Sequence, residues 1–334
     1  MSVQVTLLPS GHSYTTTPDE TILESALAHG YTLPYGCRDG ACGSCKGKLV
    51  SGEIDYGRYS PGALSETEKK LGAALFCCAR PLTDITIECR EVSGMGDIQV
   101  KKLPARVESL QRAAPDVMII TLKLPTQERL QFLAGQYLDI LLKDGRRRSF
   151  SMANPPHSDA FIELHIRHVP GGHFTDHVFG QMKVRDILRF EGPLGTFFLR
   201  EESNKPIILL AGGTGFAPIK SIIEHAIHKG IERPMTLYWG ARDEAGLYLR
   251  ELAEGWVRDV PDFKFVPVLS EASWGGRQGL VHEAVMADHP DLSGHEVYAC
   301  GAPAMIEAAK RDFVARCGLP VDAFFADVFS YAGA

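Results

Sequence analysis

Apolar and polar positions change their period three times along this chain, and each change predicts a different kind of element. Val3-Gln4-Val5-Thr6-Leu7 alternates with the period of two of a half-buried strand, and Gly11-His12 marks a turn. Thr21 to Gly30 shifts to helical spacing, opening on a threonine cap and closing on glycine. Lys48 to Asp55 and Ile85 to Glu88 return to strand patterns, giving a small mixed sheet with one helix. Residues 91–103 have no strong period and contain two glycines, so they predict a linker.

Beyond the linker, short alternating runs dominate: Ala105 to Leu110, Val117 to Leu124, Tyr137 to Leu142 and Phe161 to His168, separated by Pro and Gly turns. That pattern predicts a small antiparallel barrel. The polar run Glu201 to Pro206 then precedes the apolar strand Ile207 to Leu210, a glycine turn, a helix from about Ile219, a strand Met235 to Trp239 and another at Val297 to Cys300. Strands alternating with helices predict a parallel sheet covered on both faces. The expected division is therefore 1–92, a linker 93–103, 104–201 and 202–334.

The chain has 334 residues and a net charge of −6, which argues against nonspecific nucleic-acid binding. No segment approaches the roughly twenty apolar residues needed to span a bilayer, so no membrane partner is expected. Eight cysteines could pair as disulfides. No charged-then-apolar leader of the secretory kind is visible, however, and a chain this long buries a core without staples. Reduced thiols and a cytoplasmic location are the expectation.

Three of those thiols fall in Cys37-Arg38-Asp39-Gly40-Ala41-Cys42-Gly43-Ser44-Cys45, with four residues between the first pair and two between the second. This is the loop spacing of plant-type [2Fe–2S] centres, whose fourth thiolate comes from a distant point of the chain. Structural zinc favours two separated Cys-x2-Cys knuckles or added histidines instead. Gly36, Gly40, Ala41, Gly43 and Ser44 leave backbone N–H groups free to close around sulfur. Cys77 and Cys78 are the two candidates for the fourth position, and in an extended chain only one of two neighbours can face the metal.

Residues 3 to about 90 resemble plant-type ferredoxins of the β-grasp fold. That family carries a leucine two places before its fourth ligand and an aspartate seven places after it, which Leu75 and Asp84 match for Cys77. The resemblance implies Cys37, Cys42, Cys45 and Cys77 as ligands, with Cys78 a buried packing residue.

In the barrel, Arg148-Ser149-Phe150-Ser151 alternates a cation, an aromatic ring and a hydroxyl. Such a strand suits a pyrophosphate, a flavin face and its N5 edge. The run matches the Arg-x-Tyr/Phe-Ser signature of the ferredoxin-NADP reductase superfamily. Further elements follow in that superfamily's order: His165-Ile166-Arg167, then Gly172 and Thr175 at an expected helix start, then the Gly192-Pro193-Leu194-Gly195 turn. This set resembles the FAD branch more than the FMN branch. Arg146 and Arg147 read as a solvated turn, which leaves Arg148 for the pyrophosphate.

Gly212-Gly213-Thr214-Gly215-Phe216-Ala217-Pro218 follows an apolar strand and resembles the superfamily's nicotinamide loop. Cys300-Gly301-Ala302-Pro303 resembles its second loop, and Phe329 near the C-terminus a lid over the flavin. Ser151, Thr214 and Cys300 are the expected catalytic residues, with Cys300 positioning the nicotinamide without covalent chemistry. Arg242 would attract a 2′-phosphate, but Asp243 and Glu244 would repel it, so NADH is expected over NADPH.

The whole chain thus resembles reductase components of bacterial aromatic-ring oxygenases. The resemblance implies an enzyme that takes hydride from NADH onto FAD and sends single electrons through a [2Fe–2S] cluster to a partner, an oxygenase component first. The alternative is the reductase of CDP-6-deoxyhexose biosynthesis, whose partner is a sugar dehydrase. A redox sensor would leave the nicotinamide loop without a purpose.

Overall fold

The computed structural model describes residues 2–96, 98–272 and 274–329. The outer bounds of the expected division, Met1 and Ala334, lie outside the described residues. Contacts divide the chain into two units, one ending at Asp97 and the other beginning at Ile98.

In the first unit, strands β1 (Val3–Leu8) and β2 (Ser13–Thr16) pair as a hairpin, and α1 (Ile22–Ala28) follows. Thr21 starts that helix through a reciprocal capping box with Glu24, and Ile22, Leu23 and Ala26 are buried beneath it. Strands β3 (Lys46–Ser51), β5 (Ala73–Leu75) and β7 (Ile85–Glu88) complete a sheet of order β2-β1-β7-β3-β5, in which β1 and β7 run parallel. Short β4 (Ile54–Asp55) and β6 (Arg80–Pro81) pair apart from it, and α2 (Glu66–Lys70) carries its own capping box from Ser65. A helix crossing a mixed sheet of this order is the expected β-grasp ferredoxin fold.

The second unit begins with a six-stranded antiparallel sheet. Its strands are β8 (Lys101–Ala114), β9 (Val117–Lys123), β10 (Tyr137–Leu141), β11 (Arg147–Ser151), β12 (Ile162–Arg167) and β13 (Ile187–Leu194), with α3 (His173–Gly180) between the last two. The order is β11-β10-β13-β8-β9-β12, and a bridge between Met152 and Leu164 joins the two outer strands into a barrel. Two local expectations change here. Lys101 to Leu103 pair with Phe190 to Gly192, so the expected linker gives up its last three residues to β8. Gly192-Pro193-Leu194 is the end of β13 and not a turn, because Tyr137 pairs with Leu194 across a register shift in β10.

The remaining elements are β14 (Ile207–Gly212), α4 (Phe216–Lys229), β15 (Met235–Ala241), α5 (Arg250–Asp259), β16 (Phe263–Leu269), β17 (Arg277–Gln278), α6 (Val281–Asp288), β18 (Glu296–Gly301), α7 (Pro303–Cys317) and β19 (Phe324–Val328). They form an all-parallel sheet of order β17-β16-β15-β14-β18-β19. Helix α4 starts three residues earlier than its apolar pattern suggests, directly on the glycine loop. The barrel and this sheet share one core: Ala134, Phe197 and Leu199 pack with Leu209, Ile219 and Trp239. Burying apolar area across that boundary makes the two modules one unit.

Candidate functional site

The loop between α1 and β3 holds three cysteines in a shell of backbone donors. The N–H of Cys37 donates to the sulfur of Cys42 and the N–H of Cys42 to that of Cys37, both at 3.3 Å. Ser44 N–H reaches Cys42 and Cys77 N–H reaches Cys45, each at 3.5 Å. A hydrogen bond from Cys37 holds the Cys42 thiol below its ordinary range, against burial, and the adjacent Cys45 raises that of Cys77. The four sulfurs are thus arranged as two pairs, Cys37 with Cys42 and Cys45 with Cys77. Among the described residues no three His, Cys, Asp or Glu side chains gather at a single point. Two thiols for each of two irons, with N–H groups aimed at sulfur, fit a [2Fe–2S] cluster.

Gly40 is where this loop admits no other residue. Its φ of +78° is left-handed, and a Cβ there would lie 2.7 Å from the sulfur of Cys78 and 3.0 Å from the Cα of Tyr59. The same contact corrects an expectation. Residues 76–78 form a turn and not an extended strand, so the two neighbouring thiols do not face opposite ways. The sulfurs of Cys77 and Cys78 are 3.6 Å apart.

In the second unit, three residues distant in sequence meet at one carboxylate. Ser151 Oγ, at the end of β11, donates to Asp327 Oδ2 in β19 at 3.1 Å, and the Cys300 thiol lies 3.9 Å from the same oxygen. All three residues are buried. Burial, and then the adjacent Asp327, push the Cys300 thiol well above its ordinary range, so it stays protonated and non-nucleophilic. Asp327 was not singled out from the sequence, although it is the one acid in the apolar run Phe325 to Phe329.

The candidate flavin residues divide into those that face a ligand site and those spent on the fold. Of three consecutive arginines, Arg146 pairs with Asp144, Arg147 pairs with Glu191 and Asp139, and Arg148 has no carboxylate partner among the described residues. A half-buried guanidinium left without an acid suits a pyrophosphate. Phe150 is half-buried, its ring 5.4 Å from that of Phe174. Gly195, with φ +89°, sits against the Tyr137 ring, and its carbonyl accepts from Gln136. His165 is different: its ring is sealed inside, with Nδ1 bonded to the Tyr248 hydroxyl at 2.8 Å and Nε2 to Glu163 at 2.9 Å. It ties the barrel to the parallel sheet and has no nitrogen left for a cofactor. Thr175 spends its hydroxyl on Val169, so Gly172 caps α3 by backbone alone.

A cleft of about 690 Å³ runs along the C-terminal edge of the parallel sheet. One end is lined by Gly212, Gly213, Thr214, Arg167 and Phe329. Arg167 is held by Asp116 at 2.9 Å and stands against Gly213, while the Phe329 N–H donates to the carbonyl of Gly301. Trp239 donates its indole N–H to the Gly213 carbonyl at 3.0 Å, with its ring stacked on Phe216 at 3.8 Å. That stack adds about 1 kcal/mol beyond its buried area and fixes the loop. Gly215 is obligatory too, since a Cβ there would strike the backbone carbonyl of Cys300.

The opposite end of the cleft is lined by Arg242, Asp243, Ser270 and Glu271. Asp243 spends its carboxylate on the Gly246 N–H, and Glu244 lies nearest Arg250 and does not line the cleft. Ser270 and Glu271, which the sequence reading passed over, take their place. The N–H of Glu271 donates to the Arg242 carbonyl and clamps the two loops together. A long cleft with a glycine loop at one end and polar groups at the other fits a dinucleotide.

Three family models cover most of the chain in this order: a 2Fe-2S iron-sulfur cluster binding domain over residues 5–82, an oxidoreductase FAD-binding domain over 104–199 and an oxidoreductase NAD-binding domain over 209–311. The chain is 43% identical over 331 residues to the CDP-6-deoxy-L-threo-D-glycero-4-hexulose-3-dehydrase reductase of Yersinia pseudotuberculosis, covering 98% of this chain and 99% of that protein. It is 36% identical to reductase component 1 of terephthalate 1,2-dioxygenase from a Comamonas species, covering 99% and 98%. Among solved structures, the Amycolatopsis cytochrome P450 reductase GcoB is similar with a TM-score of 0.82 and 35% identity, over 99% of this chain and all of that one. The chain belongs to the family of NAD(P)H-dependent flavin and [2Fe–2S] reductases, which pass electrons from a nicotinamide through FAD and an iron–sulfur cluster to a partner protein.

Proposed function

We propose that this reductase uses NADH and that its electron acceptor is a CDP-6-deoxy-hexulose dehydrase of the kind named for its Yersinia relative. The full-length 43% identity to that reductase carries the choice of partner, against 36–38% for the relatives named as oxygenase components. Glu271 at the cleft's polar end supports NADH, because a carboxylate there repels a 2′-phosphate. The eight free cysteines fit a reducing, cytoplasmic setting.

The chemistry supplied by the bound groups is hydride acceptance at FAD and one-electron release at the cluster. The chain's own contribution is placement. Arg148 offers its charge to the pyrophosphate. Ser151, Asp327 and Cys300 set one polar cluster at the site of hydride transfer, in surroundings that exclude water. Trp239 holds the Gly213 carbonyl of the nicotinamide loop in place.

The decisive experiment reduces the purified protein anaerobically with NADH and mixes it with candidate acceptors. Reoxidation of the cluster by the sugar dehydrase, at rates at least tenfold above those with an oxygenase component, is the expected result. Rapid reoxidation by the oxygenase component alone moves the partner to the oxygenases, the second reading, which the terephthalate dioxygenase relative favours.

A further inference from the structure

The turn at residues 76–78 gives one corner of the cluster site two thiols instead of one. Cys77 pairs with Cys45 and takes the Gly40 N–H, which makes it the natural fourth ligand. Cys78 follows it immediately, its sulfur 3.6 Å away and 9% of the residue exposed. Its sulfur is also the nearest atom to the position a Cβ would take on Gly40, inside the ligand loop. A packing cysteine under a strand would face the core. This one faces the loop, held there by two neighbours: Tyr59 crosses Gly40 beside it, and Gly57 sits against the Cys78 carbonyl.

From this geometry we infer that Cys78 is a spare cluster ligand, able to take the place of Cys77 at the iron shared with Cys45. The displacement needed is small, since one χ1 rotamer step moves a cysteine sulfur by about 3 Å. Ligand exchange is balanced: the Cys78 thiol gives up its proton to solvent as its thiolate binds iron, and the departing Cys77 thiolate takes one up, with no net electron transfer. The remaining cysteines of this unit are otherwise engaged. Cys37 and Cys42 serve the opposite pair, and Cys89 lies beside Tyr14 and Glu91. The inference rests on the cluster reading of the Cys37–Cys45 loop and predicts a property that four ligands alone would not give.

The test compares full-length wild type with Cys77→Ala, Cys78→Ala and the double variant, using alanine because serine can itself ligate iron. Iron and acid-labile sulfide per chain, visible circular dichroism and the electron paramagnetic resonance of the reduced cluster are read, with resistance of the first unit to limited proteolysis as the measure of its folding. Expected are a wild-type spectrum and full cluster content in Cys78→Ala, at least half the wild-type content with shifted g-values in Cys77→Ala, and less than a tenth in the double variant. A Cys77→Ala protein whose first unit is as protease-resistant as that of the wild type but which is as empty of iron as the double variant overturns the inference, as does loss of the cluster in Cys78→Ala or its retention in the double. Absence of iron and sulfide from the wild type would instead remove the cluster reading itself.

Discussion

The Ser151 hydroxyl and the Asp327 carboxylate, 176 residues apart in the chain, meet at 3.1 Å inside the second unit. One comes from the end of a barrel strand and the other from the last strand of the parallel sheet. The Cys300 thiol lies 3.9 Å from the same carboxylate oxygen. Because the pair acts as one hydrogen-bonded group, Asp327→Asn and Ser151→Ala should each slow flavin bleaching by NADH by about 10²-fold while FAD content stays constant. The double variant should be little slower than either single variant. Stopped-flow absorbance measures all three, and additive losses in the double would show that the two groups act independently.

The three arginines at 146–148 give a second prediction, because only Arg148 lacks an acidic partner among the described residues. Arg148→Ala should weaken FAD binding by 10-fold or more, the loss of roughly 1.5–3 kcal/mol expected for a charge-assisted hydrogen bond. Arg146→Ala should leave FAD bound. Flavin retained after gel filtration separates the two cases.

At the polar end of the cleft, Glu271→Arg replaces a repelling carboxylate with a cation beside Arg242. The ratio of kcat/KM for NADPH over NADH should rise about tenfold or more, close to 1.4 kcal/mol. Steady-state kinetics with both nucleotides gives the ratio, and no change would place the discriminating group elsewhere.

A pH prediction follows from the buried network that joins the barrel to the parallel sheet. Burial pushes Glu163 up, but hydrogen bonds from His165 and Lys220 and the nearby Lys220 charge hold it down to about 2. A depressed carboxyl contributes stability above its unfolded pKa, near 4.3–4.5, and loses it as pH falls toward 2. The contribution is on the order of 3 kcal/mol. His165 is lowered by burial despite Glu163, so it too costs stability as pH drops below about 6.5, where the unfolded chain binds the proton first. Urea unfolding at pH 7 should show Glu163→Gln less stable than wild type, and the gap should shrink steadily between pH 4.5 and 2.5. A gap that stays constant across that range would remove Glu163 from the network's energetics.

The three cofactor-type modules were legible in the sequence because each announces itself in a short local pattern. The Cys37–Cys45 spacing, the Arg148–Ser151 strand and the Gly212–Pro218 loop each carry their meaning within a few residues. The element order followed from periodicity as well, including the all-parallel sheet. Boundaries shifted where pairing decided them, as at Lys101 and at Gly192 to Leu194.

The sequence by itself determined the three cofactor-type modules and their order, because turn chemistry, hydrophobic period and ligand spacing are local properties of a chain. Only the tertiary structure decided that His165 is sealed against Tyr248, that Asp327 reaches Ser151, that Glu271 lines the cleft, and that Cys78 turns toward the cluster loop beside Cys77. Those relationships depend on which strands are brought together and on whether a two-residue step lies in a turn or a strand. Both are settled by packing distant apolar surfaces into one core, which no local pattern encodes.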